Sequence, residues 1–431
     1  MKQGLTIFVI LSLFITANNF FDFSPFGEGM EPKSKLLHYI IFILIVAYLH
    51  FKKSDKKKKL QNLGSKSQKR IDNCITLLIC GQFIALFNAT IYKEQSLFVS
   101  IMTSMPMLVA FGSYFLFKKI SLTEESFKKI IVILGVGYCC IYILSLITLP
   151  NPLFGSFGLD EERGGFRLRI RGIFWAALLF FLLISSYKEL KKNKYLILAF
   201  IIYLFIVASL ARQYILWSTF LGGLFFLKGL KFRKLLVLIS AVVVLGVTVI
   251  PQIPLVKNMI ELTEKQKELN DYEQDDFRVR DYMVFMFEYD RNIFQYIFGC
   301  GLGSQGNSKW GNEQEMMNQS QHLIMADASW AGIVFLYGYF SFFIWIFLVI
   351  YSIFYIKGVY YKRFFLAYIF LCAILGGTLV YTYEVIIIMF VMSQMTCCKK
   401  VDSKQPILTY SKKRLNERPF LDGPSNKVGR H

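Results

Sequence analysis

The chain has 431 residues, is 55% hydrophobic and has a mean hydropathy of +0.46. An ordinary soluble domain is markedly less apolar and is excluded. The net charge of +20 would point to nucleic acid in a soluble protein. Here it fits lysines in cytoplasmic loops that set topology and meet anionic lipid, and no nucleic-acid partner is expected.

The apolar residues gather in blocks of the length that spans hydrocarbon, about 20 residues each. The first, 5–21, could pass for a signal peptide. No clear small-residue cleavage site follows it, so an uncleaved first span is expected. Further blocks lie at 36–51, 71–91, 96–117, 130–149, 172–187, 195–211, 213–227, 235–250, 323–356, 364–381 and 383–398. The block 323–356 exceeds one span, so its first turn or two belongs to a loop. The expectation is an all-α polytopic membrane protein of about 12 transmembrane helices. One transmembrane domain covers 1–398, and the polar tail 399–431 is expected to be disordered. The eight cysteines show no CxxC pair and no metal spacing, so neither a disulfide framework nor a zinc site is expected.

Alternate connections differ in charge. One set is the N-terminus, 52–70, 118–129, 188–194, 228–234, 357–363 and the tail. It carries 34 of the 49 Lys and Arg residues. The other set is 22–35, 92–95, 150–171, Arg212, 251–322 and a turn at 382. It is the longer of the two and carries only 15. The first set is therefore expected to be cytoplasmic, with both termini inside.

Arginine breaks this pattern. Eight of 14 arginines fall in the outer set: Arg163, Arg167, Arg169, Arg171, Arg212, Arg278, Arg280 and Arg291. Only seven of 35 lysines do. The arginine fork binds phosphate oxygens two at a time, so an outer arginine cluster points to an anionic ligand, a diphosphate fitting best. The competing account is pairing with Asp160, Glu161, Glu162, Asp275, Asp276 and Asp281. Arg163, Arg167 and Arg171 would share one face of a helix, although Gly164–Gly165 weakens that assignment. Arg212 lies between long apolar blocks in "IVASLARQYILW". It is either a functional charge or part of a tight turn between two spans.

The large outer loop, 251–322, carries "FRVRDYMVFMFEYDRNIFQYIFGCGLGSQG". An interfacial helix is expected from Arg278 to Phe298, ended by Gly299, Gly301 and Gly303. "GCGLGS" reads as a helix stop or as backbone N–H groups offered to a phosphate. The loop returns through His322 to Asp327, which caps the next helix or takes part in chemistry.

In order, these segments resemble the O-antigen polymerase and O-antigen ligase superfamily of membrane glycosyltransferases. The resemblance covers roughly residues 160–345. It rests on "RIRGIFWAALL", "ASLARQYIL", "RVRDYMVFMF…IFGCGLGS" and "DASWAGIVFLYG". The family often has serine where Ala211 stands. Its ligases typically follow a histidine with an asparagine, which is absent after His322, and this favours a polymerase.

The resemblance implies a C-type glycosyltransferase fold in the bacterial inner membrane. It implies an undecaprenyl-diphosphate-linked oligosaccharide as substrate and inverting transfer at the outer face. Neither metal nor nucleotide-sugar cofactor is implied. Membrane lipids, a chain-length regulator and a flippase of the same pathway are the implied partners. On this reading Arg163, Arg167, Arg169, Arg171, Arg278 and Arg280 bind substrate diphosphates, with Arg212 at the reaction centre. Cations placed in advance stabilise charge growing on the departing diphosphate. The acceptor hydroxyl needs a base or orienting group. Asp327 is first choice and His322 second. The rivals are an O-antigen ligase acting on lipid A core and a flippase for the lipid-linked oligosaccharide. No internal repeat favours the flippase.

Overall fold

The computed structural model describes residues 3–23, 36–47, 66–120, 122–160, 165–227, 277–320, 323–325, 328–356 and 360–396. The chain divides into a main unit, Met1–Cys397, and a second, Cys398–His431. The second unit, which holds the whole tail 399–431, lies outside the described residues.

Without water, backbone N–H and C=O groups must be satisfied within the segment, and the apolar blocks fold as helices. In chain order these are α1 (Gln3–Ala17), α2 (Leu36–Ala47), α3 (Lys66–Tyr92), α4 (Leu97–Ile120), α5 (Glu124–Ile147), α6 (Ile173–Leu190), α7 (Asn193–Ala208) and α8 (Arg212–Leu227). Then come α9 (Phe277–Met283), α10 (Ile293–Phe298), α11 (Lys309–Ser320), α12 (Ser329–Phe354), α13 (Tyr360–Cys372) and α14 (Thr382–Thr396). Helices occupy eleven of the twelve apolar blocks; 235–250 lies outside the described residues. Among the described residues, five helices, α3, α4, α5, α6 and α12, are long and apolar enough to cross a membrane.

Local chemistry sets the helix ends. Thr123 Oγ1 accepts from the Ser126 N–H at 3.2 Å, and Glu124 and Glu125 occupy the first turn of α5. Both features favour a helix N-terminus. Of the five long apolar helices α6 is the most enclosed, buried from Ile173 to Ser185. Phe14, Phe117, Trp175 and Phe390 knit α1, α4, α6 and α14 together. Ring centroids are 4.6 Å apart for Phe14–Trp175, 4.9 Å for Phe14–Phe390 and 5.0 Å for Phe117–Phe390. Packing of this kind associates helices in lipid. Each edge-on pair adds about 0.5–1.5 kcal/mol beyond its buried area.

The all-α expectation needs one correction. Strands β1 (Ser156–Asp160) and β2 (Gly165–Arg169) form an antiparallel hairpin, pairing Ser156 with Arg169 and Gly158 with Arg167. The expected interfacial helix over 278–298 is also corrected. Helix α9 runs into a π-helical turn, Val284–Glu288, and stops. Asn292 then starts α10 with a capping box. Its Oδ1 accepts from Gln295 N at 2.9 Å, and its N–H donates to Gln295 Oε1 at 3.1 Å.

Helix α12 starts at Ser329, six residues into its block, and breaks at Gly338, where φ is +76°. The glycine-rich turn fills the break. Cys300 N and Gly301 N donate to the carbonyls of Phe335 and Leu336, both at 2.9 Å. A Cβ at Gly299 would collide with the Leu336 backbone, and one at Gly338 with the Ile297 carbonyl. Both glycines have positive φ, which L side chains resist. Gly299→Ala is expected to cost about 2–4 kcal/mol through backbone strain and overpacking. Thermal unfolding in detergent measures it; an unchanged melting temperature would refute the docking role.

Connections of each charge set meet one another. Lys93 Nζ donates to Tyr289 Oη at 2.6 Å and lies 3.7 Å from Glu313, joining 92–95 to the 251–322 segment. Lys362 Nζ donates to Glu124 Oε2 at 2.7 Å, joining 357–363 to 118–129.

Candidate functional site

Arg171 follows β2 and precedes α6. Its backbone N donates to Asp22 Oδ2 at 3.2 Å, and its Nε lies 3.2 Å from Asp22 Oδ1. Asp22 sits in a short helical turn after α1, Asn19–Asp22, where Asn19, Phe21 and Asp22 have positive φ. That strained turn holds the carboxylate under the arginine. The guanidinium carbon is 5.6 Å from the Tyr383 ring centroid, within cation–π range. Gly172, at φ +105°, turns the chain into α6; a Cβ there would press on the Phe21 ring.

The hairpin overturns the shared helical face of Arg163, Arg167 and Arg171. Arg167 and Arg169 instead stand at alternate positions of β2, where period 2 applies. The intervening Leu168 is buried, as is Ile170, while Arg169 is exposed. Arg163, His322 and Asp327 lie outside the described residues, and for Arg167 only the strand position is described. The N-cap position of α12 is Ala328, with no side-chain cap.

Arg212 is the first residue of α8. It follows a tight turn in which Leu210 has φ +53° and Tyr142 Oη donates to the Ala208 carbonyl at 2.7 Å. The expected turn between spans is therefore present. It also aims the following residues at one place. Gln213 lies against Gly376, and Tyr214 stands beside Tyr383 and Glu384.

That place is the segment between α13 and α14. Helix α13 stops at Cys372, although the apolar block runs on to 381, and 373–381 is a series of turns. Gly376, Gly377, Thr378 and Leu379 are buried there. Ser329 Oγ donates to the Gly376 carbonyl and accepts from Leu379 N at 3.2 Å. Helix α9, which carries Arg278 and Arg280, docks on the same segment through Tyr282 Oη, 2.7 Å from the Ile374 carbonyl. Burial pushes the Tyr282 hydroxyl up to about 12. Asp281, fully buried, accepts from Ile324 N at 3.1 Å and so anchors the chain leading to α12. Arg278 is half-buried and Arg280 exposed.

Arg171, the start of α8 and the arginine-bearing α9 thus all attach to 374–384. Sequence reasoning missed Asp22, Tyr383 and Glu384. The signal for Glu384 was present: an acid in "YTYEVIIIMF", at the head of an apolar block, is as unusual as Arg212.

Two features weighed for anion binding have structural roles, and the helix stop read in "GCGLGS" is present. Arg291 is 6% exposed; it donates to the carbonyls of Met286 (2.8 Å) and Val334 (3.3 Å) and stacks 4.3 Å from the Tyr296 centroid. The N–H groups of "GCGLGS" are largely committed. Besides the two that fill the α12 break, Gly303 N donates to Gln314 Oε1 at 2.9 Å and Ser304 N to Gln95 Oε1 at 3.0 Å. The stretch stops a helix and plugs a break, and these four groups are not offered to a phosphate.

No family model matches the chain, and no curated protein matches it either. The arrangement itself therefore carries the functional argument. Arg171, several tyrosine rings and the buried Glu384 carboxyl gather at an unwound segment inside an apolar block, and two further arginine-bearing elements attach to it through Gln213 and Tyr282. Such a site is suited to an anion attached to a polar, ring-shaped group.

Proposed function

We propose that this chain is a glycosyltransferase that polymerises undecaprenyl-diphosphate-linked oligosaccharide repeat units, by inverting transfer, at the outer face of the bacterial inner membrane. The reading includes about 12 spans, a C-type glycosyltransferase fold and cytoplasmic termini. The observation that carries it is the attachment of Arg171, the α8 start with Arg212, and the α9 arginine helix to one segment, 374–384. Charge grows on the diphosphate as the anomeric bond breaks, and prearranged guanidinium groups stabilise it. Arg167 and Arg169, on β2, extend the cationic approach, and Arg163 is taken to bind the substrate with them. Chain-length regulator and flippase proteins are the proposed pathway partners.

The test is purified protein in lipid with the native lipid-linked repeat unit, run on a gel that resolves glycan length. A ladder with undecaprenyl diphosphate released is the expected result. Transfer of whole glycan only after lipid A core is added would make the chain a ligase. Unchanged substrate in both mixtures would favour a flippase. In the same assay Arg212→Lys keeps the charge and loses the fork, and about a tenfold or greater loss of rate is expected. Polymer made at the native rate would refute bidentate phosphate binding at Arg212.

A further inference from the structure

We propose that Glu384 is the carboxylate that meets the acceptor sugar's hydroxyl and takes its proton during transfer, a role that rests on the glycosyltransferase reading above. Three observations converge on it. First, the backbone at 373–381 leaves the helix inside an apolar block. In a membrane that is tolerated only where protein covers the segment or where it lines a polar cavity. Second, Glu384 is 3% exposed and its Oε2 has no hydrogen-bond partner; Thr378 Oγ1, in the same unwound segment, has none either. An acid buried in a membrane helix is a functional residue by default. Third, its surroundings suit a sugar diphosphate. Tyr214 of α8, Tyr368 and Cys372 of α13, and Tyr381 and Tyr383 are the titratable groups around it, with Arg171 on the Tyr383 ring. Tyrosine faces accept the apolar faces of sugar rings, and a few placed polar groups fix orientation.

A sugar hydroxyl can fill the unpartnered position at Oε2, and its entry with water lets Glu384 release its own proton to that water and ionise before it acts as the base. In the step, the hydroxyl proton passes to the Glu384 carboxylate. The oxygen's electron pair forms the new bond to the anomeric carbon. The bond from that carbon to the diphosphate breaks, and its electron pair leaves with undecaprenyl diphosphate. The proton returns from Glu384 to water. Asp327, favoured on sequence, becomes the direct competitor.

The test compares wild type, Glu384→Gln, Glu384→Asp and Asp327→Asn, each reconstituted full length. Binding is read with undecaprenyl diphosphate alone, and transfer with the native lipid-linked repeat unit across a pH series. Glu384→Gln is expected to bind undecaprenyl diphosphate within twofold of wild type and to transfer at least about 100-fold more slowly, the loss typical of a removed general base. Glu384→Asp should recover part of the rate. The acid limb of the wild-type pH profile should be missing from the residual Glu384→Gln activity. Transfer by Glu384→Gln at the native rate, with Asp327→Asn inactive, overturns the proposal and assigns the base to Asp327. Loss of diphosphate binding in both Glu384 variants overturns it too, since the residue would then be structural. Wild type that binds undecaprenyl diphosphate but builds no ladder refutes the glycosyltransferase reading itself, and the wild-type lane alone reports that.

Discussion

Arg171→Ala is expected to slow repeat-unit transfer by about 10²–10³-fold at saturating donor, the cost of removing one prearranged stabiliser of developing negative charge. The residue is singled out because its position is fixed from two sides. Asp22 takes both its backbone N–H and its Nε, and the Tyr383 ring lies beneath the guanidinium. Fixed groups stabilise a transition state without reorganising when charge appears. Arg171→Lys should recover only part of the rate, because a lysine keeps the charge and loses the planar fork. Asp22→Asn should fall between wild type and Arg171→Ala, since it loosens the arginine without removing it. Initial rates of undecaprenyl diphosphate release measure all three. Equal rates in wild type and Arg171→Ala would remove Arg171 from the site.

Glu124→Gln is expected to destabilise the fold by about 3 kcal/mol. Lys362 is 0% exposed; its ammonium donates to Glu124 Oε2 at 2.7 Å and sits 4.5 Å from the Phe127 ring centroid. Tyr361 Oη donates to the other carboxylate oxygen, also at 2.7 Å. Removing the anion leaves a buried cation uncompensated, which costs about 3–5 kcal/mol. The lower figure applies because the Glu124 side chain is 36% exposed and water screens the pair. Adding Lys362→Met removes the stranded charge, so the double variant should regain most of the loss. Melting temperatures of the two single variants and the double variant decide it. Additive losses would show that the two residues do not act as a pair.

The apolar blocks were legible because lipid leaves helices as the main way to satisfy a spanning backbone. The alternation of charge was legible too, and its grouping reappears in the Lys93–Tyr289 and Lys362–Glu124 contacts. The hairpin is faintly marked in the sequence, where "RLRIR" alternates with period 2. The four-residue spacing of Arg163, Arg167 and Arg171 drew the reading toward a helix, against the warning of Gly164–Gly165. The break at Gly338 and the unwinding at 373–381 were hidden for another reason. Average hydropathy does not register which carbonyls are satisfied by their own helix. The groups that satisfy Phe335 and Leu336 lie more than 30 residues upstream, so no local window contains both partners. Arg171 and Arg212 stand out as charges, but the meeting of Arg171 and of Tyr214, two residues after Arg212, with Tyr383 and Glu384 depends on residues more than 150 positions later.

The break in α12 also carries a consequence for the order of biosynthesis. Asn88 and Gln95, which hold the Gly299 and Leu302 carbonyls at 2.8 and 3.1 Å, are synthesised first. Gly299 to Gly301 follow, and the carbonyls of Phe335 and Leu336 emerge last. The wedge is therefore seated, or ready to be seated, before the helix that needs it leaves the ribosome. The residues that satisfy the broken helix are thus already synthesised when its carbonyls emerge.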